Sequence, residues 1–173
     1  VWTGLYTGSA LGRFVTSTGQ FTALAAPYTP NNLAIPFPSR NGRIYVTDHQ
    51  NNKVAVWNPR TSTWGAAIAM PTPNCWVTAA TEDVGRQTLY FTEYYGNKLG
   101  KLPWAGTMSD IVVPGGGPAF LSYHNNRVWY SEWLTSKLGS YNVVTGQVVE
   151  YNFPAGQAAE TGGPLGTRRD GKV

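Results

Sequence analysis

The stretch VWYSEWLTSKLGSY, residues 128–141, is written in variant form three more times: LYFTEYYGNKLGKL at 89–102, IYVTDHQNNKVAVW at 44–57 and VWTGLYTGSALGRF at 1–14. Each copy opens on an aliphatic residue followed by an aromatic. Two places after Tyr45, Tyr90 and Trp129 stand Thr47, Thr92 and Ser131, followed at once by the acids Asp48, Glu93 and Glu132. The first copy departs here, with Gly4 and Leu5 after Trp2. A short loop then leads into Lys53-Val54, Lys98-Leu99 and Lys137-Leu138, with Ala10-Leu11 in the first copy. The opening aromatics lie 43, 45 and 39 residues apart, and a period of about 40–50 residues built from short β-rich runs is that of a propeller blade.

Two further strands complete each unit. An apolar run introduced by proline precedes the aromatic strand, at Pro30 to Ile35, Pro73 to Ala80, Pro118 to Tyr123 and from Pro164 onward. An outer hairpin follows the lysine strand, clearest in SYNVVTGQVVEY, where Thr145-Gly146 turns between β-branched residues. The chain therefore reads as all-β: one β-propeller domain over 1–173, made of four-stranded antiparallel blades in repeats of about 1–42, 43–87, 88–126 and 127–173. With strands a to d counted outward from the axis, it begins in strand b and stops as the next strand b would begin. Two arrangements satisfy that cut. One is a closed four-bladed ring; the other is part of a larger, for example seven-bladed, ring completed by another chain or by further residues, since an open stack leaves blade faces and strand edges exposed.

Composition narrows the function classes. Hydrophobic residues make up 42% of the chain and charged residues only 13%, which suits a packed globular core rather than a disordered chain. No apolar run approaches the roughly 20 residues of a bilayer span, and no leader pattern opens the sequence, so no membrane partner is expected. The first residue is Val1, which points to a processed or partial chain. The lone Cys75 leaves no internal disulfide and no multi-cysteine zinc site. No Asn-x-Ser/Thr triplet occurs; secretion is the favoured compartment, although no signal marks it. The net charge of +4 is dispersed, without the clustered basic and aromatic pattern of nucleic-acid binding, so no nucleic-acid partner is expected.

Strand direction sorts the polar residues onto two faces. Loops from b to c and from d to a open on the same face of the disc, and a-to-b turns open on the other. The first face collects Asp48, His49, Glu93, Tyr94, Tyr95, Glu132 and Trp133, so radial repetition is expected to aim an arc of carboxylates and aromatics at a central mouth. His49 is the candidate general base, beside Asp48. Tyr94, Tyr95 and Trp133 are candidate stacking platforms for a small-molecule, glycan or peptide ligand. The bland reading of the acids is structural, accepting hydrogen bonds between blades or pairing with Lys53, Lys98 and Lys137. The opposite face gathers Arg40, Arg43, Arg86, Arg127, Arg168, Arg169 and Lys172 against Glu82, Asp83 and Asp170, a solvated rim of turns; His124, in the YHNNR turn, reads as a turn residue.

The repeat, and above all VWYSEWLTSKLGSYNVVTGQVVEYNFP at 128–154, resembles the streptogramin-B lyase family, the virginiamycin B lyase-like propellers. The resemblance implies a lyase-like propeller that opens an ester-linked or uronate-type substrate by elimination, with a histidine base and a magnesium ion. Carried onto this chain, it implies a catalytic set drawn from His49, Asp48, Glu93 and Glu132, with Glu93 and Glu132 as the metal carboxylates. The alternative is a non-catalytic carbohydrate- or peptide-binding propeller, favoured by the scarcity of histidine.

Overall fold

A computed structural model describes residues 1–154. The apolar run from Pro164 and the basic residues Arg168, Arg169 and Lys172 lie outside the described residues. Sixteen strands and no helix are found among those described. β1 (Trp2–Leu5), β2 (Ala10–Val15) and β3 (Gln20–Ala25) form the first sheet, strands b to d of its blade. β4 (Leu33–Pro38), β5 (Ile44–Asp48) and β6 (Lys53–Asn58) form the second, with an outer strand broken into β7 (Thr63–Trp64) and β8 (Ile68–Ala69), both paired to β6. The third runs β9 (Val77–Asp83), β10 (Thr88–Glu93), β11 (Lys98–Pro103) and β12 (Ser109–Val112), and the fourth β13 (Pro118–His124), β14 (Arg127–Glu132), β15 (Lys137–Asn142) and β16 (Val148–Asn152). All pairings are antiparallel meanders, in the order a-b-c-d that the repeat implies.

The sheets stack face to face in chain order: β1 against β4, β4 and β5 against β9, and β9 and β10 against β13. Three apolar seams fill these contacts. Trp2 packs with Leu11, Leu33, Ile44, Val46 and Trp57 in the first. Tyr45 lies with Val54, Val77, Leu89 and Phe91 in the second, and Tyr90 with Leu99, Leu121, Val128 and Tyr130 in the third. The repeated aromatic thus bridges each blade to the next. The end faces have no such cover. Phe14 and Phe21 on the first sheet are 37% and 53% exposed, and Tyr151 on the last is 42% exposed. Among the described residues the four sheets form an open arc.

Each strand a carries a bulge at the same place. Between Leu33 and Pro36, Val77 and Ala80, and Pro118 and Leu121, strand a spends one residue more than the strand b opposite. The extra residue leaves a backbone amide off the ladder, and the repeated hydroxyl satisfies it. The amides of Ile35, Ala79 and Phe120 donate to Thr47 Oγ1, Thr92 Oγ1 and Ser131 Oγ at 3.2, 2.9 and 3.2 Å. Thr47 and Thr92 also donate onward, to the carbonyls of Thr78 and Ala119 in the following blade, at 3.3 and 3.0 Å. This double duty explains Thr or Ser at a buried position. Gly4 stands there in the first sheet because a Cβ would fall 1.7 Å from the Ala34 carbonyl oxygen.

The turns follow the repeat too. Ser9, Asn52, Asn97 and Ser136, each just before strand c, take φ of 49°, 50°, 50° and 53°. Asn125 and Asn126, at 48° and 59°, make the two-residue turn joining β13 to β14, with the half-buried His124 at its edge.

Candidate functional site: an aromatic mouth

The residue after the strand-b acid is His49, Tyr94 and Trp133 in three copies, and Tyr6 follows Leu5 at the same place in the first. Side chains alternate along a strand, so when the acid turns into the seam its successor turns out of it. The loop is then pinned by its backbone: the amides of His49, Tyr94 and Trp133 donate to the carbonyls of Asn32, Trp76 and Gly117 at 3.3, 3.1 and 3.0 Å. All four side chains consequently line one cavity of about 330 Å³, together with Tyr95, Trp76 and the bulge residues Ile35, Thr78, Ala119 and Phe120. The bulges re-aim strand a so that its side chains form the floor.

The rings pack mostly edge to face. Trp76 lies 5.2 Å from Tyr95 and 6.4 Å from Tyr94, Tyr94 lies 4.8 Å from Tyr95 and 6.3 Å from Trp133, and Tyr6 lies 5.8 Å from His49, centroid to centroid. His49 also lies 6.0 Å from Trp76. Neither ring nitrogen of His49 has a well-formed hydrogen bond. Burial holds its pKa below the ordinary imidazole value, against the opposing pull of the Thr78 backbone and the Asp48 carboxylate. The lowered pKa favours the neutral imidazole at pH 7, and both of its ring nitrogens are buried in the wall of the mouth.

The sequence-predicted residues divide cleanly. His49, Tyr94, Tyr95 and Trp133 are brought together at the cavity wall. Asp48, Glu93 and Glu132 are not: all three are fully buried, beneath the mouth and within the stack. The expected arc of carboxylates is absent from the wall because each acid is the last residue of its strand and follows the strand's alternation inward. Asp48 accepts from the Asn31 amide at 3.0 Å and from Asn51 Nδ2 at 3.1 Å. Glu132 accepts from Thr135 Oγ1 at 2.5 Å. The repeat lysines pair with outer-strand acids instead, Lys98 with Asp110 at 2.9 Å and Lys137 with Glu150 at 2.7 Å, while Lys53 lies 5.6 Å over the Tyr28 ring.

Beside these pairs, burial pushes the pKa of Glu93 up to about 7; Asp110 adds to the shift while Thr72 and Lys98 oppose it. Burial likewise pushes Glu132 up to about 7, with Glu150 adding and Thr135 and Lys137 opposing. Each strand-b glutamic acid thus lies beside a strand-d acid that favours its protonated form. At Gly139 a Cβ would fall 2.0 Å from the Tyr130 ring. Such a donor set does not suit magnesium, which asks for ionised, accessible oxygens and keeps waters. No cluster of three or more His, Cys, Asp or Glu side chains that could hold a metal ion occurs among the described residues.

Tyr6 and Trp76 were not anticipated. Tyr6 occupies the same repeat place as His49, but its copy lacks the acid that marks the position. Trp76 falls in the proline-introduced run 73–80 read as strand a, but β9 begins only at Val77, which leaves Trp76 in the d-to-a loop. On the opposite face, Glu82 accepts from Ser39 Oγ at 2.6 Å and from the Arg40 amide at 2.9 Å, and Asp83 pairs with Arg86 at 2.9 Å.

No family model and no curated protein matches the sequence. Solved structures do match by fold. A streptogramin B lyase structure superposes with a TM-score of 0.83 at 23% identity, covering 92% of this chain and 52% of that one. A catalytically inactive His-to-Ala variant of virginiamycin B lyase from Staphylococcus aureus, solved with quinupristin, gives 0.78 at 19% identity, covering 87% and 51%. A nidogen/laminin complex gives 0.67 at 12% identity, covering 84% and 56%. The chain spans about half the length of the lyase structures it matches. With its four-sheet arc, its meander order and these superpositions, the chain carries the β-propeller fold that the streptogramin B lyase structures share.

Proposed function

We propose that the chain is a ligand-binding propeller arc whose mouth holds an uncharged, ring-bearing portion of a small molecule, glycan or peptide. One observation carries this reading: all four blades send a side chain into the same cavity, and its wall has five Tyr and Trp rings and a neutral histidine but no charged side chain. Aromatic rings offer large, rigid apolar faces at low entropic cost, and their edges and polar tips orient what lies between them. The open end faces favour a site completed by further blades, from another chain or a longer one.

A second reading, elimination on an ester-linked or uronate-type substrate, is favoured by His49 alone. His49 is the histidine on the cavity wall, the residue type a general base needs, and a substrate would have to reach ring nitrogens that are buried in this structure. The imidazole would take the proton from the carbon beside the substrate carbonyl as the carbon–oxygen bond to the leaving group breaks and a carbon–carbon double bond forms. Stabilisation of the developing negative charge would have to come from groups other than Glu93 and Glu132, which are buried away from the mouth.

Calorimetric titration with N-acetyl-tryptophanamide, methyl glycosides and a small cyclic peptide tests the binding reading. Saturable binding by at least one, weakened about tenfold in Tyr94→Ala and Trp133→Ala, is expected; no binding, or equal binding by the variants, contradicts it. The elimination reading adds a conjugated, ultraviolet-absorbing product that His49→Gln would abolish.

A further inference from the structure

Three loops entering strand a present the same backbone position, identified by the carbonyl that receives the loop amide of His49, Tyr94 or Trp133. Its φ is 71° at Asn32, 53° at Trp76 and 65° at Gly117. The left-handed region is open to glycine and readily visited by asparagine, whereas for a bulky residue it is a strained outlier. Two of the three blades thus use residues that relieve the conformation, and one places a tryptophan in it. The backbone there is held from both sides: the Trp76 amide donates to Asn52 Oδ1 at 3.0 Å, and its carbonyl accepts from the Tyr94 amide at 3.1 Å.

The strained residue projects into the mouth. Its half-buried indole stands between His49 and the pair Tyr94 and Tyr95, and it lines the cavity and a smaller adjoining recess of about 200 Å³ walled by Gln50, Asn52 and Asn74. Strain of this kind persists where the surroundings over-determine it, and it clusters at ligand clamps. We propose that Trp76 is the principal ligand-gripping residue of the mouth, kept in a conformation its repeat equivalents avoid because its ring supplies the stacking face for a flat, uncharged ring of the ligand. This rests on the binding reading above. The amide-lined recess beside it then receives the polar edge of that ring.

Trp76→Asn and Trp76→Gly, which restore the residues found in the sibling blades, separate this role from core packing. Both are followed by thermal melting and by calorimetry with N-acetyl-tryptophanamide as probe. The expected result is a melting temperature within about 4 °C of the parent with probe affinity reduced about tenfold or more. A parent that binds while the variants bind as tightly overturns the proposal and leaves the binding reading standing. A fall in melting temperature of about 10 °C or more in both variants overturns it too, because the indole would then be a packing residue. A parent that does not bind the probe refutes Trp76's role, and the binding reading falls with it only if the methyl glycosides and the cyclic peptide also fail to bind.

Discussion

Strands β10 and β14 hold the same place in adjacent sheets and carry nearly the same motif, TLYFTE and RVWYSE, yet they are buried differently. Every residue of β10 is buried, whereas β14 alternates between half-buried and buried over its first four residues. The difference is the neighbour. β10 lies between two other sheets, while β14 has one sheet on one face and an open face on the other. Tyr90 is 1% exposed and Tyr45 4%, but their equivalent Trp129, beside the exposed Tyr151, is only half-buried. The same alternating sequence thus yields a fully buried strand or a one-sided one according to its place in the stack, and the end faces are blade-to-blade surfaces without their blades.

The largest expected contrast lies in these aromatics. Tyr90→Ala should cost about 3–5 kcal/mol in urea unfolding, the range for removing a buried aromatic, and Trp129→Ala about 1 kcal/mol. Equal costs would mean that the last face is covered in solution, for instance by another copy of the chain.

A smaller contrast concerns the bulge hydroxyls. Thr92 accepts from the Ala79 amide, donates to the Ala119 carbonyl and touches Thr78 Oγ1, whereas Ser131 serves the Phe120 amide at the arc's end. Thr92→Val is expected to cost about 2–3 kcal/mol and Ser131→Ala about 1 kcal/mol, because a buried polar group left unpaired costs its desolvation. Similar losses in chemical denaturation would show that the bond to the next blade adds little.

The repeat made the fold legible: its spacing, its turn residues and its paired apolar runs all pointed to one meander. Ring closure was not legible, because both geometries place the same strands in the same order. Within the site, the loop aromatics were readable as a recurrent position. The carboxylates, expected at the mouth from their place at the strand ends, are buried in the seam because the pleat turns them there. The role of Thr47, Thr92 and Ser131 depends on a bulge in another strand, which no local pattern announces. Trp76 was hidden because its loop differs from its siblings in sequence, and its significance lies in a backbone angle.

The most direct test of the aromatic mouth is the titration of the His49 imidazole by nuclear magnetic resonance, with and without N-acetyl-tryptophanamide. The account predicts a midpoint below 6.5, the ordinary value, moved further down by the neutral ligand as it excludes water, with binding weakening as the imidazole becomes charged. A midpoint at or above 6.5 that ignores the ligand would contradict a desolvated mouth built around His49.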